Sequence, residues 1–452
     1  MKDMYYYEVA PTRIVRTSVH FFTYQSSEVL PVGSLVVIPV GKTQVHGVVL
    51  CGASKPRFDT RDITKLLVAQ PLPEPLVRTA IWMSEYYATH LATVLSGLLP
   101  RGIDKQRRVR ATLPPEGPIR VQQSHTLTHD QTKAVERIQT SRSTTHLLHG
   151  VTGSGKTLIY KTLTRRAIED GQSVIILVPE IALTSQIVDE FRQEFGERVL
   201  VTHSHQTEAE RHMIWQQVLE SPGPYVVIGP RSALFLPIAQ LGLVVVDEMH
   251  EPSYKQEQSP RYSALRVATI LAGFHTTKAV FGSATPPVAE YYATKQSGAP
   301  VITLSQRADA AAMKPMVHVV DMTKRQNFAS HRFFSTALLS TIETTLDKGQ
   351  QVLLFHNRRG SASITLCHSC GWMATDPDTG IPLTLHADSH TLVSHISHYT
   401  TSVPTMCPVC KESEIIHKGI GKKLIESELR RIYPNKNIVR FDGDGTKEHS
   451  VE

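Results

Sequence analysis

The residues best suited to chemistry lie at 150–157. Gly150-Val151-Thr152-Gly153-Ser154-Gly155-Lys156-Thr157 satisfies the pattern G-x-x-x-x-G-K-[ST]. Its glycines let backbone N–H groups converge on phosphate oxygens, and the start of a following helix adds partial positive charge. Lys156 is placed to bridge the β- and γ-phosphates of ATP, and Thr157 to hold Mg²⁺. Downstream, the apolar run Leu243-Val244-Val245-Val246 ends in Asp247-Glu248-Met249-His250. Asp247 is expected to coordinate Mg²⁺, Glu248 to polarise the attacking water as general base, and His250 to couple the site to a neighbouring loop. Ser283-Ala284-Thr285 follows the next apolar strand and offers small hydroxyls that sense the nucleotide. An Asp-Glu pair after a strand is a weak signal alone. Behind a phosphate loop, with strands between, it is a strong one.

A second chemistry sits near the C-terminal end. Four of the five cysteines form two C-x-x-C pairs, Cys367/Cys370 and Cys407/Cys410. The N-terminus lacks the apolar core of an export signal, so a cytoplasmic location is expected and zinc is favoured over disulfides. Cys51 stands alone in an apolar stretch and reads as an inert buried thiol. No apolar run approaches the ~18 residues of a membrane span, which excludes a membrane partner of that kind. Lys and Arg (48) exceed Asp and Glu (41), giving a net charge of +7 that suits a polyanion without identifying one.

These residues need elements to hold them. Residues 34–40 and 45–50 read as two β-branched strands around Gly41-Lys42, and residues 76–99 carry helical apolar spacing with Trp82, Tyr86 and Tyr87. Residues 101–125 are basic and proline-broken, a linker that either meets a polyanion or is simply solvated. From about 126, short apolar runs at 174–178, 226–228, 243–246 and 279–281 alternate with helical stretches, as in a doubly wound parallel sheet. A second α/β unit is expected to open with strands at 317–321 and 351–355, to be interrupted by the cysteine region, and to resume at 422–433 and 438–441.

In the order phosphate loop, D-E-x-H, S-A-T, the set resembles a superfamily-2 helicase motor. The resemblance implies that Gln131 reads adenine; otherwise it is an exposed helix residue. Longer stretches resemble the PriA family of bacterial primosomal replication-restart helicases. They are residues 150–157, 178–184 and 228–235, Ser253-Tyr254-Lys255-Gln256 with Arg261-Tyr262, residues 357–360, and the cysteine segments 366–372 and 407–410. The likeness covers nearly the whole chain, most loosely in its first hundred residues. It implies an ATP-dependent 3′-to-5′ DNA helicase that binds stalled forks and D-loops and helps reload the replicative helicase. The implied partners are DNA (forks, D-loops and single strands), other primosome proteins and single-stranded DNA-binding protein.

The implied fold is α/β. A small α+β N-terminal DNA-binding domain (1–104, for the 3′ end of a strand) leads through the basic linker (105–125) to a P-loop RecA-like helicase lobe (126–305). A partial second lobe (306–452) carries a zinc-binding insert (367–410). Segment 253–262 corresponds to the family's aromatic-rich loop. There Tyr254 and Tyr262 are expected to stack on bases, with Lys255 and Arg261 near phosphate, unless the loop is a surface feature with packed tyrosines. Arg358 and Arg359 resemble a DNA-facing motif. The 3′-end pocket maps to Phe22, Thr23, Gly41 and Lys65; the family usually has an aspartate where Thr23 stands, so the contact weakens or the pocket only packs.

Three departures shape the expectation. Residues 101–125 are too few for the winged-helix domain the family places there. Of four C-x-x-C pairs binding two zincs, only the outer two remain, implying one structural Zn²⁺ held by Cys367, Cys370, Cys407 and Cys410. Asp376 and Thr379, and His395-Ile396-Ser397-His398, take the inner places, either as a weak metal site or, the better reading, as a lost one. Last, Glu452 falls inside the second lobe, before the family's last two motifs. The alternative to a helicase is therefore a fork-binding scaffold that binds ATP without unwinding, and an RNA-directed motor is disfavoured by the cysteine insert.

Overall fold

The computed structural model describes residues 4–103, 126–179, 185–309 except 222, 316–356 except 322, 323, 332 and 333, 364–418 except 387–389, 395 and 396, and 422–439. The basic linker 105–125, segment 180–184, Arg358, Arg359 and His395 lie outside these residues. The chain forms two compact units, Met1–Met313 and Lys314–Glu452.

The first unit opens with a six-stranded sheet: β1 (Tyr5–Pro11), β2 (Phe22–Ser26), β3 (Leu35–Val40), β4 (Thr43–Ala53), β5 (Arg61–Asp62) and β6 (Lys65–Leu66), in the order β5-β2-β1-β4-β3-β6. The expected hairpin is β3–β4, and Gly41 at its turn has φ +60°, the left-handed region that favours glycine. Residues 61–66 run from β2 to β3. Ile63 N–H donates to Gln25 O and Thr64 N–H to Val37 O, both at 2.9 Å, so this segment bridges the outer sides of β2 and β3. The expected helix at 76–99 is two, α1 (Glu74–Tyr86) and α2 (Leu91–Leu98). Ala88 at φ +46° breaks them, and His90 caps α2 by accepting from Ala92 N–H at 3.1 Å.

Next comes the motor lobe: α3 (His129–Thr140), β7 (Thr145–Gly150), α4 (Lys156–Glu169), β8 (Ser173–Leu177), α5 (Ser185–Phe195), β9 (Val199–Val201), α6 (Glu208–Glu220), β10 (Val226–Gly229), β11 (Leu241–Val246), α7 (Ala264–Phe274), β12 (Lys278–Ser283), α8 (Val288–Gln296) and β13 (Val301–Leu304). Its seven strands are all parallel, ordered β13-β7-β12-β11-β8-β10-β9. The continuous apolar runs follow from burial on both faces. On β8, Val174 and Ile176 join one core with Ile159 and Phe191, while Ile175 and Leu177 join the other with Phe235 and Val267. That second core also holds Leu76, Met83 and Leu95 of α1 and α2.

In the second unit, α9 (Thr336–Asp347) precedes and α10 (Lys422–Ile432) follows in sequence an antiparallel sheet of β14 (Ile364–Cys367), β15 (Thr384–His386), β16 (Thr391–Val393), β17 (Thr400–Ser402) and β18 (Ile415–Lys418), ordered β17-β16-β15-β14-β18. The strands expected at 317–321 and 351–355 do not form: Leu353 and Phe355 are 87% and 86% exposed. An apolar run becomes a strand only beside a hydrogen-bonded neighbour, and no described residue pairs with either segment.

Candidate nucleotide, DNA and zinc sites

The phosphate loop joins β7 to α4, so its N–H groups face the mouth of the parallel sheet at a helix N-terminus. Gly155, the N-cap of α4, has φ +77°, and a Cβ there would come 2.3 Å from Gln131 Nε2. Lys156 Nζ donates to Gly150 O at 3.2 Å, a bond that a phosphate would replace. Gln131 is brought to the loop, but buried. Its Oε1 accepts from Thr128 N–H (2.8 Å) and its Nε2 donates to Ser154 O (2.8 Å). The amide thus braces the loop, and neither end is turned outward to read a base in this conformation. A recess of about 180 Å³ beside it is lined by His129, Asp130, Gln306 and Arg307.

Asp247 and Glu248 leave the end of β11, next to β8 and β12. Tyr160, buried on α4, donates to Asp247 Oδ1 at 3.0 Å. This approach requires Gly282, where a Cβ would lie 1.7 Å from the Tyr160 hydroxyl. Burial, then the neighbouring Glu248, raises the Asp247 carboxyl above its ordinary range. Glu248 has φ +45°, and its carboxylate lies 3.5 Å from His250 Nδ1. The same ring nitrogen is 2.9 Å from Ser283 Oγ, which accepts from Thr285 N–H at 2.9 Å. His250 therefore lies between the acidic strand end and the Ser-Ala-Thr loop. Tyr160 escaped sequence reading because nothing in a buried helical tyrosine announces its partner.

The expectation for Tyr254 and Tyr262 is corrected. They are only 3% and 5% exposed, so neither ring can stack on a base in this conformation. The Tyr254 hydroxyl donates to Asp247 O (2.6 Å) and Leu177 O (3.1 Å), which ties the loop to the acidic strand end. Burial pushes the Tyr262 hydroxyl up to about 12, while its ring packs edge-on against Phe235. Lys255 and Arg261 remain exposed. Arg231, from the motif at 228–235, donates to the carbonyls of Ser253 and Lys255 and holds the loop from below.

In the N-terminal sheet, Phe22 and Thr23 lie on β2, Gly41 at the β3–β4 turn and Lys65 on β6. Arg61, unmarked in the sequence reading, registers with Tyr24 on β2 and donates to Gly41 O at 2.8 Å. It links two of these places; Lys65 pairs with Val37 on the other strand. Cys51 is exposed, contrary to expectation, because its side chain points off the sheet to Glu8 Oε2 at 3.3 Å. Partial desolvation and that bond raise the thiol above its usual value.

Cys367, Cys370, Cys407 and Cys410 converge, with all four sulfurs within 4.8 Å of one another. Cys367–Cys410 and Cys370–Cys407 are 3.5 and 3.6 Å apart. A tetrahedral Zn–S₄ centre with bonds of ~2.3 Å needs sulfur edges of ~3.8 Å, so the donor set fits Zn²⁺. Backbone N–H groups of Cys370 and Ser369 hold the Cys367 thiol below its ordinary value, which favours the thiolate ligand. Asp376 does not join this cluster; its carboxylate is bonded elsewhere in the insert.

A parallel sheet with a phosphate loop at one strand end and Asp-Glu at another defines a P-loop motor lobe of the helicase type. The chain matches the DEAD/DEAH box helicase family over residues 128–293 and the PriA 3′DNA-binding domain (3′BD) over residues 14–100. It is 39% identical to replication restart protein PriA of Bacillus subtilis over 325 residues, covering 71% of this chain and 40% of that protein. PriA of Rickettsia felis is 33% identical over 432 residues, covering 93% of this chain and 64% of that protein. The chain is thus similar to the PriA replication restart proteins over as much as 93% of its length. It spans less than two thirds of the length of these curated relatives. Among solved structures, the helicase domain of Pyrococcus furiosus Hef is similar at 19% identity and a TM-score of 0.31, covering 39% of this chain and 37% of that one, too slight a likeness to argue from.

Proposed function

We propose that this chain is the ATP-dependent motor of a replication-restart DNA helicase, moving 3′ to 5′ and acting at stalled forks and D-loops. The observation that carries the reading is the site around Asp247. Its carboxylate is aimed by Tyr160 and its backbone is held by Tyr254 from the loop at 253–262. A motor needs such a link, because work requires that contact with DNA alter the nucleotide site.

In the proposed mechanism, loop N–H groups and Lys156 grip the ATP phosphates, with Lys156 leaving Gly150 O to do so. Thr157 and Asp247 would hold Mg²⁺, which when bound neutralises charge on the transferring phosphoryl group. Glu248 orients and deprotonates the attacking water, and His250 carries the state of the site to Ser283. Lys255 and Arg261 meet the DNA backbone, and Thr23, Gly41 and Lys65, with Arg61, receive a 3′ end. One Zn²⁺ on the four cysteines fixes the insert. Primosome proteins and single-stranded DNA-binding protein are the proposed partners, in the cytoplasm.

The test is DNA-stimulated ATP turnover by this chain, with forked DNA against blunt duplex. Stimulation that disappears in Glu248→Gln while nucleotide still binds supports a motor. Nucleotide binding with no turnover on any DNA returns the chain to the fork-binding scaffold.

A further inference from the structure

Four turns in the zinc insert share one hydrogen-bond pattern. In each, residue i donates its N–H to the carbonyl of i+5 and accepts at its own carbonyl from the N–H of i+4. Cys367 does so with Trp372 and Gly371 (2.7 and 3.0 Å), and Cys407 with Glu412 and Lys411 (2.8 and 3.0 Å). Asp376 does so with Ile381 and Gly380 (2.8 and 2.8 Å), and Ser394 with Tyr399 and His398 (2.8 and 3.0 Å). The i+4 residue has positive φ in all four: Gly371 +78°, Gly380 +67°, His398 +60° and Lys411 +65°. The side chain of residue i also accepts from N–H groups inside its own turn: Cys367 from Cys370 and Ser369, Asp376 from Asp378 and Thr379, Ser394 from Ser397, Cys407 from Cys410 and Val409. Two of these knuckles open with C-x-x-C. The other two carry Asp376-x-x-Thr379 and Ser394-x-x-Ser397 in the same places, one residue off the register expected for His395 and His398.

We infer that the second knuckle pair is a metal-free counterpart of the zinc site, closed by the Asp376 carboxylate hydrogen-bonded to Ser394 and Ser397 across the gap. The Asp376 side chain is buried, at 1% exposure. Oδ1 accepts from Asp378 and Thr379 N–H at 2.9 and 3.2 Å, Oδ2 accepts from the Ser397 hydroxyl, and the Ser394 hydroxyl donates to the same carboxylate. A carboxylate has about four lone-pair directions, and four donors occupy them. No acceptor capacity is left for a cation, and the remaining hydroxyls are poor zinc ligands. The negative charge that thiolates and metal would share is here a single carboxylate bound by hydrogen bonds to a charged group, the stronger kind. His398 serves the turn through its backbone, and its exposed ring is not part of the closure.

The experiment is zinc stoichiometry on the full chain by elemental analysis, with two redesigned second sites. The unaltered protein is expected to hold one zinc. D376C/T379C/S394C/S397C is expected to hold two, since it restores sulfur in the hydrogen-bonded register. D376C/T379C/H395C/H398C is expected to stay at one. Two zincs in the unaltered protein, or a second zinc taken only by the 395/398 variant, overturns the inference. Should the cysteine variants fail to fold, Asp376→Asn decides by hydrogen exchange. Asn loses one acceptor oxygen, so amides at 376–381, 394 and 397–399 should exchange roughly tenfold faster or more, with zinc unchanged at one. Unchanged protection there refutes the carboxylate closure.

Discussion

Lys156, Asp247 and Glu248 were legible because phosphate chemistry constrains residue type and spacing locally. Lys156→Ala should weaken ATP binding by about 10- to 100-fold, the worth of a charge-assisted hydrogen bond, in a fluorescent-nucleotide titration. Asp247 gives a pH prediction. Its folded pKa is raised, so at pH values between the unfolded and folded pKa the folded state holds more protons. Stability of the free protein therefore falls as pH rises through that window, and Mg²⁺-nucleotide should restore it by favouring the carboxylate. Conversely, Mg²⁺-ATP affinity should drop on acidification at a higher pH than an ordinary aspartate would set. A pH-affinity profile that Asp247→Asn leaves unchanged contradicts this. What the sequence concealed were partners. Tyr160, Arg61 and Ser394 act through residues 87, 20 and 18 positions away in sequence, respectively, and such distances leave no periodic trace. Tyr254 and Tyr262 were misplaced because a tyrosine suits both a core and a base stack, and only packing decides.

At the scale of elements, the parallel strands were readable because two buried faces demand unbroken apolar runs, as on β8, β10 and β11. The same rule mislabelled 351–355, where an apolar run has no strand beside it among the described residues. At the site α4 approaches β12 closely at one point, since the Tyr160 hydroxyl occupies the space a Cβ of residue 282 would need. Gly282→Ala must push Tyr160 away from Asp247 and should cost about 1–3 kcal/mol by overpacking. Tyr160→Phe removes the hydrogen bond while relieving no crowding. It should therefore raise the Mg²⁺ concentration needed for half-maximal nucleotide binding with little change in melting temperature. A large loss of stability with unchanged Mg²⁺ dependence would mark Tyr160 as packing alone. In the insert, Cys407→Ser should abolish zinc and loosen the turns at 367–372 and 407–412, because each thiolate contributes to folding through the metal.

For the whole molecule, the N-terminal helices and the motor lobe of the first unit do not have separate interiors. Leu76, Met83 and Leu95 share a core with Phe235, Val267 and Leu271. Arg78 lies 4.3 Å over the Phe274 ring, and Ser263 N–H donates to the Tyr87 hydroxyl at 3.1 Å, one residue beyond Tyr262. The sequence showed the aromatic cluster at Trp82, Tyr86 and Tyr87 but not its destination, because a helix face reveals that it is buried and not against what. Tyr87 thus reaches the start of α7 directly behind the loop whose Tyr254 holds Asp247, so the part that matches the 3′DNA-binding domain touches the segment next to the nucleotide site. A shared core makes a definite thermodynamic demand: the two parts should melt together. Met83 is fully buried, and Met83→Ala should cost about 2–5 kcal/mol. If the core is one cooperative unit, hydrogen exchange should speed up by the same factor in β1 and β4 of the N-terminal sheet as in β8 and β11 of the motor lobe. Faster exchange confined to residues 4–103, with β8 and β11 unchanged, would mean that the two parts unfold separately and only touch.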